Sequence, residues 1–167
     1  MNDTLSAAQM GPDHLIIAPI LIPLVAGAIM LFYNDRNRQT KLMMGLAAVA
    51  LTFIASLELV ADVKSATVVG LYPLGNWPVP IGIVLVLDRL SVMMVMLTAL
   101  LAGPSLIYAA AGWHGKGQHY HSMFQFLLAG VNGAFLTGDL FNLFVFFEVM
   151  LAASYGLMLH GSGPERI

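Results

Sequence analysis

The sequence contains no cysteine and few charged residues, which account for 10% of its 167 positions. Without cysteine, disulfides, cysteine-ligated zinc and iron–sulfur clusters are excluded. The charged fraction is well below the roughly 25% typical of soluble domains, and hydrophobic residues make up 59% of the chain. There is no phosphate-binding glycine loop, nucleophilic triad or basic nucleic-acid patch, and His114, His119 and His121 lack metal-ligand spacing. The composition predicts an integral membrane protein with no cofactor, no metal and no nucleic-acid partner.

Five apolar segments are candidates for helices that cross the bilayer, predicted at 14–33, 42–61, 88–111, 122–137 and 140–159. The fourth approaches the required length of about 20 residues only if 137–139 forms a tight turn at the membrane edge. In the first segment, Pro19 and Pro23 are placed in the early turns, where a missing N–H costs least. Asp88 is the predicted N-cap of the third helix. The fold class is therefore an all-α membrane protein with about five transmembrane helices.

The connection between the second and third helices differs from the rest of the chain. Several Pro and Gly residues fall within 62–82 and argue against a helix there. We predict an extended or hairpin-like loop at the membrane surface, with Trp77 at the interface. The apolar stretch 81–87 is either a strand or an early start of the third helix.

The basic residues predict the topology. They concentrate in alternate loops, at Arg36, Arg38 and Lys41, then Lys116, then Arg166. Because basic loops face the cytoplasm, the N-terminus is predicted outside and the C-terminus inside. The predicted parts are an extracytoplasmic N-terminus (1–13), helices one and two (14–61), an extracytoplasmic loop (62–87), helices three to five (88–160) and a cytoplasmic C-terminal end (161–167).

Glu148 is the strongest candidate for a functional residue. It lies in the middle of the fifth predicted helix, and the stretch 140–159 contains no Lys or Arg. A carboxylate near the bilayer centre costs about 2.5–3.5 kcal/mol on insertion scales, so such residues are rare and usually functional. Either the group is protonated, or it meets a cation or water from elsewhere. We predict a proton-relay carboxylate; the alternative is a structural carboxyl held neutral by a backbone carbonyl.

Three weaker candidates accompany Glu148. Asn132 lies between the small residues Ala129 and Gly133, which favours a hydrogen bond across closely packed helices, or else water binding beside Glu148. Asp139 is the predicted N-cap of the fifth helix, with a role in ion uptake as the alternative. Tyr155 is the one polar group among the helical neighbours of Glu148.

Several motifs resemble the D-type subunit of the Mrp-type (also Pha or Mnh) multisubunit cation/proton antiporters. They are Leu15–Leu24, Gly75–Pro78, Gly82–Ser91 and, most specifically, Phe124–Glu148. The resemblance runs from about residue 14 to residue 163. This type of subunit is similar to the antiporter-like subunits of respiratory complex I.

The resemblance implies that Glu148 matches the proton-transfer glutamate on the family's fifth helix. Family members have about fourteen helices, and the lysines on later helices that pair with that glutamate are absent from this sequence. We therefore expect a partial chain: an N-terminal fragment, a truncated reading frame or half of a split gene.

Three functions are compatible with these observations. The first is a subunit of a cation/proton antiporter in the bacterial inner membrane, a transporter rather than an enzyme, whose partners are the other subunits, the lipid bilayer, H+ and Na+ or K+. The second is a proton-pumping subunit of complex I or of a membrane hydrogenase. The third is a structural or assembly piece without transport, which the missing lysines favour. No set of converging oxygen ligands specifies the cation.

The absence of native cysteine makes the topology directly testable. A cysteine that replaces Asn76 is expected to react with a membrane-impermeant thiol reagent in intact cells, because it lies in the predicted extracytoplasmic loop. A cysteine that replaces Gln39 is expected to react only after the cells are opened. The opposite labelling pattern would show an inverted topology.

Overall fold

The computed structural model describes residues 14–33, 37–65, 70–74, 82–113 and 119–161. Within them the chain forms the helices α1 (His14–Phe32), α2 (Arg38–Ser65), α3 (Arg89–Ala110), α4 (Tyr120–Leu136) and α5 (Leu140–Met158), and the strands β1 (Gly70–Pro73) and β2 (Val84–Leu87). The predicted N-terminal segment, most of the predicted C-terminal end, Trp77 and the basic residues Arg36, Lys116 and Arg166 lie outside the described residues.

The helices follow the predicted segments closely. The largest difference is in α2, which extends one turn beyond the predicted segment at each end, from Arg38 to Ser65. The helices α1, α3 and α5 and the stretch Arg38–Val63 of α2 are long and apolar enough to cross a membrane. Helix α4, with 17 residues, is shorter, as its sequence indicates. The prediction of an all-α membrane protein is confirmed, and the predicted hairpin-like loop between α2 and α3 contains two short paired strands.

The hairpin resolves the alternatives for the loop between α2 and α3. Strands β1 and β2 pair antiparallel, from Gly70 opposite Leu87 to Pro73 opposite Val84. Residues 84–87 therefore form a strand, and α3 begins only after Asp88. The connection 75–81 lies outside the described residues.

Helix α4 is the centre of the bundle. It packs against α1, α3 and α5, and α2 packs against α1 and α3. The hairpin lies where α1, α3 and α5 begin, which we call the hairpin end: His14 Nδ1 lies 2.9 Å from the Tyr72 hydroxyl, and the Gly138 N–H donates to the Val84 carbonyl at 2.8 Å. The core at this end combines residues of the hairpin and four helices: Ile16, Ile20, Leu59, Leu85, Leu87, Val92, Val95 and Leu136.

The start of α3 is held by a reciprocal cap. The Asp88 carboxylate accepts a hydrogen bond from the Ser91 N–H at 2.6 Å, and the Ser91 hydroxyl accepts one from the Asp88 N–H at 3.0 Å. This satisfies two main-chain donors that a helix start leaves free, and it confirms the predicted cap. The hydrogen bonds from the Ser91 hydroxyl and N–H lower the pKa of Asp88.

Replacing the cap tests its contribution to folding. We expect Asp88→Ala to lower the free energy of unfolding by about 0.5–2 kcal/mol and Asp88→Asn to lower it far less, because Asn is an equally good N-cap. Since the pKa of Asp88 is lower in the folded state, its ionised carboxylate stabilises the fold at pH values above the unfolded pKa of about 4. This stabilisation is lost as the pH falls from there through the folded-state pKa. Denaturation in detergent at pH 7 and pH 3 measures both effects. Equal stability of wild type and Asp88→Ala at pH 7 would contradict the assignment.

Candidate functional site

The N-terminal end of α5 is attached to the hairpin end of the bundle. The Asp139 carboxylate accepts a hydrogen bond from the Asn142 N–H at 2.7 Å, which confirms the predicted cap. The Asn142 side chain donates to the Thr137 hydroxyl at 3.0 Å. Thr137 in turn forms a β-bridge with Leu85 of the hairpin. The turn between α4 and α5 and the second strand therefore position the first turn of α5 together.

A heptad-like seam joins α5 to α4. The buried and half-buried residues recur every three or four positions along α5 and just beyond it: Asn142, Leu143, Phe146, Val149, Met150, Ala153, Gly156, Leu157 and His160. Such spacing keeps one stripe of a helix against its partner. Beyond the helix end, His160 Nε2 lies 3.3 Å from the Trp113 carbonyl oxygen. Both ends of α5 are thus tied to the bundle.

Two glycines on α4 let α5 approach closely. A Cβ added at Gly133 would overlap the aromatic ring of Phe146. A Cβ added at Gly130 would lie 2.7 Å from Met150 Cγ and 3.1 Å from the Met150 main-chain nitrogen. We call the surface formed by Gly130 and Gly133 the glycine notch. The Phe146 ring lies against it because neither residue has a side chain there.

Glu148 lies on the opposite side of α5 from this seam. Successive helical residues are rotated by about 100°, so Glu148 is turned by roughly 200° from both Phe146 and Met150. Its side chain is exposed and shares its face with Phe144, Leu151 and Tyr155, all of them exposed. Within the described ranges, no hydrogen-bond or ion-pair partner of Glu148 is present.

Asn132 faces away from Glu148, towards α1. It is fully buried, and its amide donates to the Pro19 carbonyl at 2.8 Å. That carbonyl lacks its usual helical donor, because the residue four positions later is Pro23, which has no N–H. Pro23 is the tenth residue of α1. It therefore lies in the middle of the helix, and its predicted place in the early turns is wrong. Asn132 therefore repairs a gap in the hydrogen bonding of α1, and it does not lie beside Glu148.

Gln125 is a buried polar residue that the sequence analysis missed. It is completely shielded, and its amide donates to the Gly45 carbonyl of α2 at 3.2 Å. Gln125 and Asn132 are seven residues apart, two helical turns, and so lie on the same face of α4. That spacing of two amides in an apolar helix was the available signal.

The four candidate residues do not form one cluster. Tyr155 shares the face of Glu148, about 10 Å further along the axis. Asp139 lies half a turn away around α5, with its carboxylate engaged in the cap. Among the residues that the structure describes, no three His, Asp or Glu side chains are grouped to hold a metal ion. What α5 presents is a carboxyl group, which can bind and release a proton, on the outward face of a helix that is long and apolar enough to cross a membrane.

Comparison with known proteins identifies relatives among the cation/proton antiporters. The chain is 57% identical over 159 residues to the D-type subunit of a probable K(+)/H(+) antiporter from Rhizobium meliloti (strain 1021). It is 43% identical over 157 residues to the D-type subunit of a Na(+)/H(+) antiporter from Alkalihalophilus pseudofirmus. Each alignment covers 93% of this chain but only 30% and 31% of the relative. The chain thus spans about a third of the length of these relatives. No protein-family model matches it.

Solved structures share the fold. A chain of the Mrp complex from Dietzia sp. DQ12-45-1b matches with a TM-score of 0.79 and 32% identity, covering 90% of this chain and 28% of that one. A chain of the membrane-bound sulfane sulfur reductase, an archaeal respiratory membrane complex, matches with a TM-score of 0.74 and 22% identity, covering 90% of this chain and 30% of that one. The second likeness shows the fold alone.

The bond between Asn132 and Pro19 predicts a structural role for Asn132. We expect Asn132→Leu to lower the free energy of unfolding in detergent by about 1–3 kcal/mol, because the Pro19 carbonyl is left buried without a donor. Ser154→Ala is the control: Ser154 is exposed, and its hydroxyl donates within its own helix to the Leu151 carbonyl. It should change stability by less than about 0.5 kcal/mol. Unchanged stability in Asn132→Leu would contradict the structural role.

Proposed function

Because the chain is homologous to the D-type subunits of multisubunit cation/proton antiporters over the part that it spans, we propose that it works as part of such a subunit in a bacterial inner membrane. In this proposal Glu148 is the intramembrane group that takes up and releases protons. The exchanged ion is a monovalent cation, H+ against K+ or Na+. The other subunits of the complex are its partners.

The position of Glu148 carries the proposal. It lies eight residues after the start of α5 and ten before its end, so it is about 12 Å from one end and about 15 Å from the other. That is close to the midplane of a hydrocarbon core about 30 Å thick. Carboxylates at such a depth are rare and usually functional, because a charge in hydrocarbon is unfavourable.

The outward face of α5 is unfavourable in direct contact with lipid, because it carries a carboxyl group. Glu148 lies there among exposed Phe141, Phe144, Leu151 and Tyr155. A lone carboxylate facing hydrocarbon is unfavourable by about 2.5–3.5 kcal/mol. Since the chain spans about a third of its relatives, we propose that the remaining helices of a complete subunit cover this face. The resemblance to the family implies a lysine among them, which would favour the ionised form of Glu148.

The two other candidates on α5 have different roles in this proposal. Tyr155 lies on the face of Glu148, where its hydroxyl supplies a polar group further along the same path. Asp139 lies on the opposite side of the helix and fixes its start. We therefore place Tyr155, and not Asp139, in the proton path.

The hairpin end is proposed to be extracytoplasmic. Arg38 and Lys41 lie in the first turn of α2, at the opposite end of the bundle from the hairpin. Basic residues near helix ends favour the cytoplasmic side. The hairpin then lies on the outer surface and closes that end of the bundle.

A proton-pumping subunit of a redox complex is the alternative. The fold is shared with a chain of a respiratory membrane complex, and an antiporter-like fold suits both functions. The two relatives compared above in sequence are antiporter subunits, which favours the antiporter. A purely structural piece without transport is the third possibility, and the test below separates it from the other two.

Substitution of Glu148 in a full-length subunit, assembled with its partners, tests the proposal. Glu148→Gln keeps the shape and hydrogen bonding but removes the titratable proton. We expect it to reduce cation-dependent proton exchange in inverted vesicles by about 100-fold or more, within the range that a positioned proton-transfer group contributes. Glu148→Asp keeps the charge on a shorter arm and should retain part of the exchange.

The control is Tyr33→Phe, which removes a polar group from the exposed end of α1, far along the chain from α5. It should leave the exchange unchanged. Full activity of Glu148→Gln at normal complex levels would show that the proton takes another path. Exchange driven by a redox substrate rather than by a cation gradient would favour the alternative function.

A further inference from the structure

We infer that the glycine notch of α4 and the Phe146 ring form a positioning device for Glu148, which sets the rotation of α5 at mid-membrane. The inference rests on the proposed role of Glu148. Gly130, Gly133 and Phe146 act through the direction in which they make the carboxylate point. This gives the notch a role beyond simple helix packing.

The first argument is the register of the seam. Phe146 and Met150 lie on either side of Glu148 in sequence, each two residues away, and both lie against the glycine notch. Contacts two residues before and two residues after a position hold it roughly 200° away on the helix, facing outward. If α5 were rotated about its own axis by about 100°, the angle between successive residues, the carboxylate would turn towards the edge of the seam with α4.

The second argument is that the described polar contacts of α5 with the rest of the bundle lie at its two ends and not in its middle. At its start, Asn142 is bonded to Thr137 at 3.0 Å, and beyond its end His160 Nε2 lies 3.3 Å from the Trp113 carbonyl. Between these anchors the described contacts with α4 are packing contacts. A bulge in the notch therefore bends or rotates the middle of α5, which is where Glu148 lies.

The third argument concerns what Glu148 faces. On its own helix the exposed residues around it are Phe144, Leu151, Ala152 and Tyr155, and Tyr155 is the titratable one. No described element packs over this face. Within the described chain, the direction of the carboxylate is therefore determined by the contacts on the far side of α5 alone.

The experiment uses the full-length antiporter complex in inverted vesicles. Gly133→Ala places a methyl group against the Phe146 ring, and Gly103→Ala is the matched control, because a Cβ there meets nothing within 4 Å. We expect Gly133→Ala to move the midpoint of the pH profile of cation-dependent proton exchange by about half a unit or more, since the carboxylate meets a different environment. Gly103→Ala should leave the profile unchanged.

A second variant keeps the test decisive if Gly133→Ala fails to assemble. Phe146→Leu removes the ring and leaves the notch partly empty, which is a milder change. It should also move the pH profile. In Gly133→Ala/Phe146→Leu the added methyl fills space left by the ring, so the double variant should lie nearer to wild type than either single variant.

Two outcomes of the transport measurements would overturn the inference. One is an unchanged pH profile in both single variants, even where exchange falls because less complex is made. The other is additive effects in the double variant. A cryo-EM structure of the Phe146→Leu complex gives a readout independent of transport: an unmoved Glu148 main chain also contradicts the inference. If Glu148→Gln is fully active while the Glu148 main chain moves in Phe146→Leu, the proposed function fails and the notch still controls the helix.

Discussion

Every main-chain polar group in the membrane interior has to find its partner within the protein, and this constraint organises the bundle. Pro23 removes a donor from the middle of α1, and the buried amide of Asn132 replaces it at the Pro19 carbonyl. Gln125 donates a further side-chain hydrogen bond to the main chain of α2, at the Gly45 carbonyl. These two amides lie on one face of α4. With them it is tied to the main chain of two neighbours and becomes the centre of the fold.

The opposite face of α4 allows close approach of α5. Gly130 and Gly133 remove side chains where α5 approaches, so the two helices join by close packing rather than by hydrogen bonds. One short helix thus carries a polar face towards α1 and α2 and a smooth face towards α5. The consequence is that Glu148 points out of the bundle, on a face of α5 that no described element covers.

The sequence predicted the helix caps correctly but not which residues of different helices meet. Asp88 and Asp139 were recognisable as caps because each acid directly precedes an apolar run. Glu148 stood out because it is an acid within such a run. Both patterns can be read from neighbouring residues in the sequence. The partner of Asn132 was not visible, because Pro19 lies more than a hundred positions away in the sequence. The alternative that Asn132 lies beside Glu148 is wrong for the same reason. Two helices that pack together can do so with different faces, and the rotation of each helix determines which residues meet.

The sequence by itself determined the membrane setting, the five helices of the described residues, the helix caps and the acid in the middle of α5, since composition, hydrophobic length and capping residues act locally. The tertiary structure alone decided which faces meet. Residues 84–87 became a strand because β1 and the turn at Thr137–Gly138 supply hydrogen-bond partners for it. The outward direction of Glu148 follows from the contact of Phe146 with a glycine surface on another helix, a contact that no local pattern contains.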